Sequence, residues 1–125
     1  MATIKAFTDL SQSKKLAEIL PLESADMSYI QELLAGGKYG KYEPYIGSPI
    51  PAYGQDKIPC WSLAALLGVL PFPTLSKDKL DSGKVGWMVS VYPDNCSYYS
   101  KWHDFPIDAC CEMILKLNEL RNWKS

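Results

Sequence analysis

Residues 58–70 read IPCWSLAALLGVL, and the interpretation of the remaining chain starts from this segment. Its apolar side chains fall on nearly every side of a helix, which is typical of a helix buried on several sides. Pro59 suits the first turn of such a helix, where a missing N–H costs nothing. Pro71 and Pro73 would end it. The sequence therefore predicts a central helix over residues 58–70.

A helix is also predicted near each end of the chain. Thr8 is placed to cap a helix over residues 9–20, because a hydroxyl at that position can accept a free N–H of the first turn. Its apolar stripe consists of Leu10, Leu16, Ala17 and Leu20. The last helix covers residues 104–120, and its buried stripe consists of Ile107, Cys110, Cys111, Ile114, Leu117 and Leu120. On its solvated face, Glu112 and Lys116 have the spacing of an ion pair.

A β-hairpin is predicted between these helices. Residues 85–92 alternate, which places Val85, Trp87, Val89 and Val91 on one face of a strand. A turn at 93–95, with Asn95 in a left-handed conformation, would lead into a second strand over 96–103. In that strand Tyr98 and Trp102 share one face, and Tyr99 and His103 share the other. The fold class is therefore α+β, with three to four helices packed around one small antiparallel sheet that includes a hairpin at about 85–103.

Three segments are less distinct. Residues 24–34 fit either a helix or a strand, and their apolar spacing favours the helix. Residues 38–57 are rich in Gly, Pro and Tyr, and the prolines at 44, 49 and 51 exclude a central strand. We expect this segment to be irregular and to act either as a binding surface or as a cover over the core. Residues 75–84 are expected to be a polar connection.

Composition excludes several classes of protein. The 125 residues, 47% apolar and 22% charged, suit a single globular domain over 1–125. Thirteen Lys and Arg against fourteen Asp and Glu leave a net charge of −1, and Arg121 is the only arginine, so DNA or RNA is not an expected partner.

Residues 63–73 are too short a run to span a membrane, which takes about 20 residues, and residues 1–9 lack the apolar stretch of a signal peptide. We expect a cytoplasmic protein without a membrane partner.

Candidate reactive groups are few. The cysteines at 60, 96, 110 and 111 should be free thiols in a reducing cytoplasm, and with one histidine they do not match a metal site, so no metal or cofactor is expected. Cys60 is the best-placed reactive thiol, because the start of a helix favours the thiolate. The simpler and favoured interpretation is a small buried residue that fills space beside Trp61. His103 could pair with Cys60, Cys110 or Cys111, or be an ordinary residue at the hairpin edge.

Aromatic and cationic residues suggest a binding surface. Tyr and Trp combine a large apolar area with a polar tip, and they recur in interfaces and in pockets for planar ligands. Lysines beside them would suit a phosphorylated ligand. The candidate ligand-binding residues are Lys38, Tyr39, Lys41, Tyr42, Tyr53, Trp61, Tyr98 and Trp102. The partner would be a small planar or phosphorylated ligand or a host protein, and a homo-oligomer remains open.

Three segments carry a resemblance: SKKL at 13–16 with LESADM at 22–27, IPCWSLAALL at 58–67, and PIDACCEMILKLNEL at 106–120. Together they resemble small uncharacterised proteins of gut Bacteroidetes and their phages or mobile elements. The resemblance brings no catalytic residue with it, and a phage origin implies binding of a host protein or sequestration of a host signalling molecule. The expected function is thus a non-catalytic binding protein; the alternative is a small enzyme that uses Cys60 or His103.

Overall fold

The computed structural model describes residues 5–33, 39–46, 57–93 and 95–121. Within this part, three α-helices and two three-stranded antiparallel sheets form an α+β fold, so the predicted class is confirmed, with two sheets in place of one. In chain order the helices and strands are α1 (Leu10–Ala17), β1 (Met27–Leu33), β2 (Tyr39–Ile46), β3 (Lys57–Cys60), α2 (Leu63–Val69), β4 (Thr74–Lys79), β5 (Val85–Val91), β6 (Tyr98–Tyr99) and α3 (Pro106–Arg121). A short 3-10 turn, Leu22–Ser24, precedes β1.

The first sheet has the order β2-β1-β3, with β1 in the centre. The preference for a helix over 24–34 is therefore wrong, since hydrogen bonding to neighbours on both sides outweighs the helical spacing. The irregular segment expected over 38–57 is wrong for β2 and for Lys57, the first residue of β3, while residues 47–56 lie outside the described residues. Both β2 and β3 are edge strands, and Pro44 and Pro59 are tolerated there because an edge strand need not pair every N–H. Pro44 lies in an edge strand and not in a central one, and Pro49 and Pro51 fall outside the described residues.

The helix predicted over 58–70 is shorter than expected, because its first residues belong to β3. Ser62 is the N-cap, and its hydroxyl oxygen accepts the N–H of Ala65 at 3.2 Å. Asp26 in turn accepts the backbone N–H and the hydroxyl of Ser62, which ties the helix start to the residue before β1. Leu66 is the fully buried residue of α2, while Ala64 is exposed. The helix therefore covers the core from one side instead of crossing its centre.

The second sheet has the order β4-β5-β6. The strand predicted over 85–92 is confirmed, as is the left-handed turn residue Asn95, whose φ is 61°. The polar connection expected over 75–84 is wrong, since β4 pairs with β5 along its whole length. The second hairpin strand is shorter than expected, because only Tyr98–Tyr99 and one further bridge pair with β5.

The core lies between α3, the inner face of β5, α2 and α1. Its wholly or almost wholly buried side chains include Leu16, Trp61, Leu66, Val89, Val91, Ile107, Met113, Ile114 and Leu117. The predicted stripe of α3 ends at Leu117, because Leu120 is 56% exposed. In α1 the cap is Asp9 and not Thr8: the Asp9 carboxylate accepts the Gln12 N–H at 2.7 Å, and the Gln12 side chain accepts the Asp9 N–H at 3.1 Å. Thr8 is instead buried beneath the helix.

Candidate functional site

A β-bulge interrupts the hairpin between Ser100 and His103. The Ser100 N–H donates to the carbonyl of Val89 at 2.9 Å, and Trp87 and His103 exchange two backbone hydrogen bonds at 2.7 and 2.8 Å. Between these two pairings β5 spans two residues, from Val89 to Trp87, whereas the opposite strand spans three, from Ser100 to His103. An extra residue of this kind moves every later side chain to the opposite face of the strand.

The bulge turns the side chain of His103 toward α3. The expectation that Tyr99 and His103 share a face is therefore wrong: Tyr99 is 56% exposed, and the His103 imidazole contacts α3. Bulges are often found beside functional sites, where they redirect one side chain. Sequence alternation gives no sign of an extra residue, so this position of His103 was not predictable.

Glu112 is the α3 residue that His103 meets. The His103 Nε2 lies 2.7 Å from Glu112 Oε1, and both side chains are 28% exposed. Both oxygens of Glu112 also accept the backbone N–H of Lys101, at 3.1 and 3.2 Å. The ion pair predicted between Glu112 and Lys116 is wrong, because Lys116 donates to the carbonyl of Tyr99 at 3.3 Å. Glu112 is thus held on two sides and orients the imidazole.

A second polar cluster joins α1 to α3. Asp108 Oδ1 accepts from Lys5 Nζ at 2.8 Å and from Gln12 Nε2 at 2.8 Å, and Lys5 also bonds Asp9 at 3.0 Å. Burial alone would lower the pKa of Lys5. The hydrogen bonds from its ammonium to Asp108 and Asp9, together with their negative charges, outweigh burial and raise the pKa. Burial alone would raise the pKa of Asp9. The hydrogen bonds that its carboxylate accepts from the Gln12 N–H and from Lys5 outweigh burial and lower the pKa. The cluster fixes the distance between the two helices at this end.

Two adjoining cavities run along α3 next to these groups. The first, of about 440 Å³, lies between α1 and α3 and is lined by Lys5, Asp9, Gln12, Lys15, Leu16, His103, Asp108, Cys111, Glu112 and Leu115. The second, of about 490 Å³, is lined by Lys101, His103, Glu112, Leu115, Lys116 and Glu119. They share His103, Glu112 and Leu115. We call the combined space the α1–α3 groove. Its size falls within the range of pockets for small organic ligands.

The thiols do not provide a nucleophile for this groove. All four cysteines are free, as predicted. Cys60 is fully buried at the end of a strand, and burial raises the pKa of its thiol, so the expected thiolate at a helix start is wrong. Cys111 lines the groove but is only 5% exposed, and burial raises its pKa to about 12. Burial likewise raises the pKa of Cys110 to about 12. His103 bonds Glu112, and no hydrogen bond joins it to Cys60, Cys110 or Cys111.

The candidate binding residues named from the sequence lie in two different sheets. Lys38 and Tyr53 fall outside the described residues. Tyr39, Lys41 and Tyr42 belong to β2, where Lys41 is exposed and Tyr42 half-buried. Tyr98 is half-buried against the core at β6, and Trp102, in the bulge, is 40% exposed. Trp61 has no exposed surface, and its indole N–H donates to the Ser24 hydroxyl at 3.0 Å.

Sequence reasoning missed the groove residues Lys5, Gln12, Asp108 and Glu112. One signal was present: Asp108 and Glu112 are four residues apart on a single helix face, with the only histidine just before that helix. The partners of Asp108, Lys5 and Gln12, lie 103 and 96 positions away, and no local pattern connects them. Only the packing of α1 against α3 brings these groups together.

Comparison with protein-family models, with curated proteins and with solved structures finds no match for this chain. Among the described residues, no helix has both the length and the apolar character to cross a membrane. The same residues contain no group of three or more His, Cys, Asp or Glu side chains that could hold a metal ion. The function must therefore be argued from the groove itself.

Proposed function

We propose that this chain is a non-catalytic binding protein that sequesters a small molecule in the α1–α3 groove. The observation that carries the proposal is the meeting of two cavities at the His103–Glu112 pair. A binding pocket needs a few polar groups that are held in fixed positions, so that little entropy is lost when the ligand arrives. Glu112, anchored by the Lys101 N–H, and Asp108, anchored by Lys5 and Gln12, meet that requirement.

The charges around the groove favour an anionic, nucleotide-like ligand. Of the four described acidic residues that line the groove, Asp9, Asp108 and Glu112 already accept hydrogen bonds from protein groups, and Glu119 is exposed to solvent. In contrast, the ammonium groups of Lys15 and Lys101 make no hydrogen bond or ion pair with described residues, and they lie in the two different cavities. Unpaired ammonium groups suit a phosphate, which they meet as point charges.

The biological role that fits this ligand is the capture of a host signal. The segments that resemble small proteins of gut Bacteroidetes and their phages support such a role, since a phage gains from removing a nucleotide-like messenger. Binding of a host protein through the aromatic and lysine residues of β2 and the bulge is the competing form of the same function. That surface is split between two sheets, so it favours an extended partner over a small molecule.

The alternative function is a small enzyme that uses His103. The hydrogen bond between His103 Nε2 and the Glu112 carboxylate fixes the orientation of the imidazole, which is the arrangement of a general base held by a carboxylate. The described residues of the groove include no Ser, Thr or thiolate nucleophile, so an enzyme built on them would have to activate water. The same alternative through Cys60 has no support, because that thiol is fully buried.

Ligand release from the purified protein tests the proposal. The protein is prepared without a histidine tag, denatured, and its small molecules are identified by mass spectrometry. A phosphorylated compound is expected, and it should be recovered unchanged after long incubation with the folded protein. Conversion that depends on His103, and is lost in His103→Gln, would instead establish the enzyme.

Matched lysine variants locate the site. Lys15→Ala and Lys101→Ala should each lower the amount of ligand that co-purifies. Lys79→Ala is the control, because Lys79 is an exposed residue of β4 outside the groove. If nothing is released, titration calorimetry with adenine and guanine nucleotides replaces the first measurement. Binding of none of them would contradict the small-molecule proposal and leave the protein partner as its replacement.

A further inference from the structure

Ser100 carries a buried hydroxyl next to the groove. The residue is 6% exposed, and its Oγ accepts the Val89 N–H at 3.0 Å and donates to the carbonyl of Lys101 at 2.8 Å. The Ser100 N–H meanwhile donates to the Val89 carbonyl. In a regular antiparallel pair the Val89 N–H would return to the Ser100 carbonyl. Here the side chain takes the place of that carbonyl.

Because the hydroxyl replaces the carbonyl as acceptor, the backbone can leave the strand ladder immediately after Ser100. The Val89 N–H is buried, so a bulge that removed its acceptor would cost free energy unless another acceptor were supplied. The Ser100 hydroxyl oxygen supplies this acceptor, and its proton is donated to the Lys101 carbonyl, which fixes the orientation of that carbonyl. The Lys101 N–H then points to Glu112, and His103 rejoins the ladder on the α3 side.

We propose that Ser100 is a positioning residue for the groove: its hydroxyl holds the β-bulge that presents the His103 imidazole and the Lys101 N–H to Glu112. The hydroxyl lines neither cavity, so it would affect a ligand only through His103 and Glu112. The effect on ligand affinity rests on the proposed function. The effect on the position of His103 does not, and it can be measured on the protein alone.

NMR spectroscopy of the imidazole measures this position directly, because His103 is the only histidine and gives a single set of ring signals. In the wild-type protein, nuclear Overhauser effects should connect the ring protons with the side chains of Glu112 and Leu115. Ser100→Ala should remove these effects and expose the Lys101 amide to rapid hydrogen exchange. Ser100→Thr, which keeps the hydroxyl, should restore both. Ser90→Ala is the control, since the Ser90 hydroxyl makes no hydrogen bond with described residues.

A purely structural hydroxyl would give a different pattern. Ser100→Ala would then lower the melting temperature but leave the ring contacts to Glu112 and the exchange rate of Lys101 unchanged, and this result overturns the inference. If Ser100→Ala does not fold, Ser100→Cys provides the same comparison with a weak hydrogen-bonding group of similar size. If the wild-type protein binds a nucleotide, loss of the bulge should also weaken that binding by about tenfold or more. Failure to bind any ligand would contradict the proposed function without altering the result for Ser100.

Discussion

Thr8 and Trp61 are joined by two hydrogen bonds that cross from the N-terminal segment to the end of β3. The Thr8 N–H donates to the Trp61 carbonyl at 2.9 Å, and the Trp61 N–H donates to Thr8 Oγ1 at 3.1 Å. The same hydroxyl lies 2.7 Å from Ser13 Oγ, and the Tyr29 hydroxyl donates to the Thr8 carbonyl at 2.7 Å. Three other parts of the chain, represented by Ser13, Tyr29 and Trp61, are therefore joined through one buried threonine.

Replacement of that threonine should destabilise the fold. Thr8→Val keeps the shape of the side chain but leaves the buried Trp61 N–H without its acceptor and removes one partner of the Ser13 hydroxyl. An unsatisfied buried polar group costs about 1–3 kcal/mol, so we expect a loss in that range in the free energy of unfolding. Thr74→Val, at an exposed strand position, should change it by less than about 0.5 kcal/mol. Urea denaturation followed by circular dichroism compares the two, and equal midpoints would contradict the role of Thr8.

Two neighbouring leucines of α2 should respond differently to the same change. Leu66 has no exposed surface, whereas Leu67 is only partly buried. Leu66→Asp buries an unpaired carboxylate at a cost of several kcal/mol, out of a total stability of about 5–15 kcal/mol, and should unfold the protein. Leu67→Asp should leave a folded protein with a lower melting temperature. Thermal unfolding that shows the reverse order would place the buried face of α2 on the other side.

Much of the fold could be predicted where the signal is local. The alternation of Val89 and Val91 and the long stripe of α3 are both local, and the structure contains both. The errors fall where long-range hydrogen bonding outweighs local spacing. Helical spacing favoured a helix over 24–34, but β1 is paired on both sides. Pro59 suggested the first turn of a helix, yet it lies in an edge strand, since both environments tolerate a missing N–H.

The candidate site was harder to predict than the fold. Composition drew attention to tyrosines and lysines, because their chemistry is visible in the sequence without knowledge of the fold. The groove depends on contacts such as Lys5 with Asp108, which are separated by 103 positions. It also depends on the bulge before His103, which reverses the face expected from alternation. Neither relationship has a local sequence pattern.

Thiol reagents should distinguish Cys96 from the other three cysteines. Cys96 is exposed, whereas Cys60, Cys110 and Cys111 are buried, and burial raises the pKa of each buried thiol. Because the thiolate is the reactive species, Cys96 alone should be alkylated rapidly by iodoacetamide at neutral pH, and all four in urea. Peptide mass mapping identifies the modified sites. Rapid alkylation of Cys60 in the folded protein would contradict its burial.

Cys60→Ala should leave ligand binding unchanged, because Cys60 does not line the groove. The substitution removes a buried sulfur that bonds Thr8, so a modest loss of stability, about 1 kcal/mol, is expected. Calorimetry of the variant with the ligand recovered from the wild-type protein measures the affinity. A large loss of affinity in a folded variant would return Cys60 to the candidate site.

Acid should remove part of the stability of α1 through Asp9. Its pKa is lower in the folded protein than in the unfolded chain, so its contribution is fully present above the unfolded pKa of about 4 and is lost as the pH falls through the folded value. Asp9→Asn keeps a good helix cap but removes the charge that meets Lys5. The wild-type protein should thus be more stable than the variant at pH 6, by less than about 1 kcal/mol for so exposed a pair, and the difference should shrink as the pH falls below about 4. Asp81→Asn, in an exposed turn, should show no such trend.

Variants of Glu112 and Trp102 distinguish a ligand in the α1–α3 groove from a ligand on the aromatic residues of β2 and the bulge. Glu112→Ala releases both His103 and the Lys101 N–H, so it should disorder the point at which the two cavities meet. If the ligand occupies the groove, this variant should weaken binding by about 1–3 kcal/mol, while Trp102→Ala and Tyr42→Ala should have little effect. Glu43→Ala, at an exposed position of β2, is the matched control. Calorimetry that gives the opposite order, with losses of that size for both aromatic variants and none for Glu112→Ala, would place the ligand on the tyrosines and Trp102 and return the groove to a structural role.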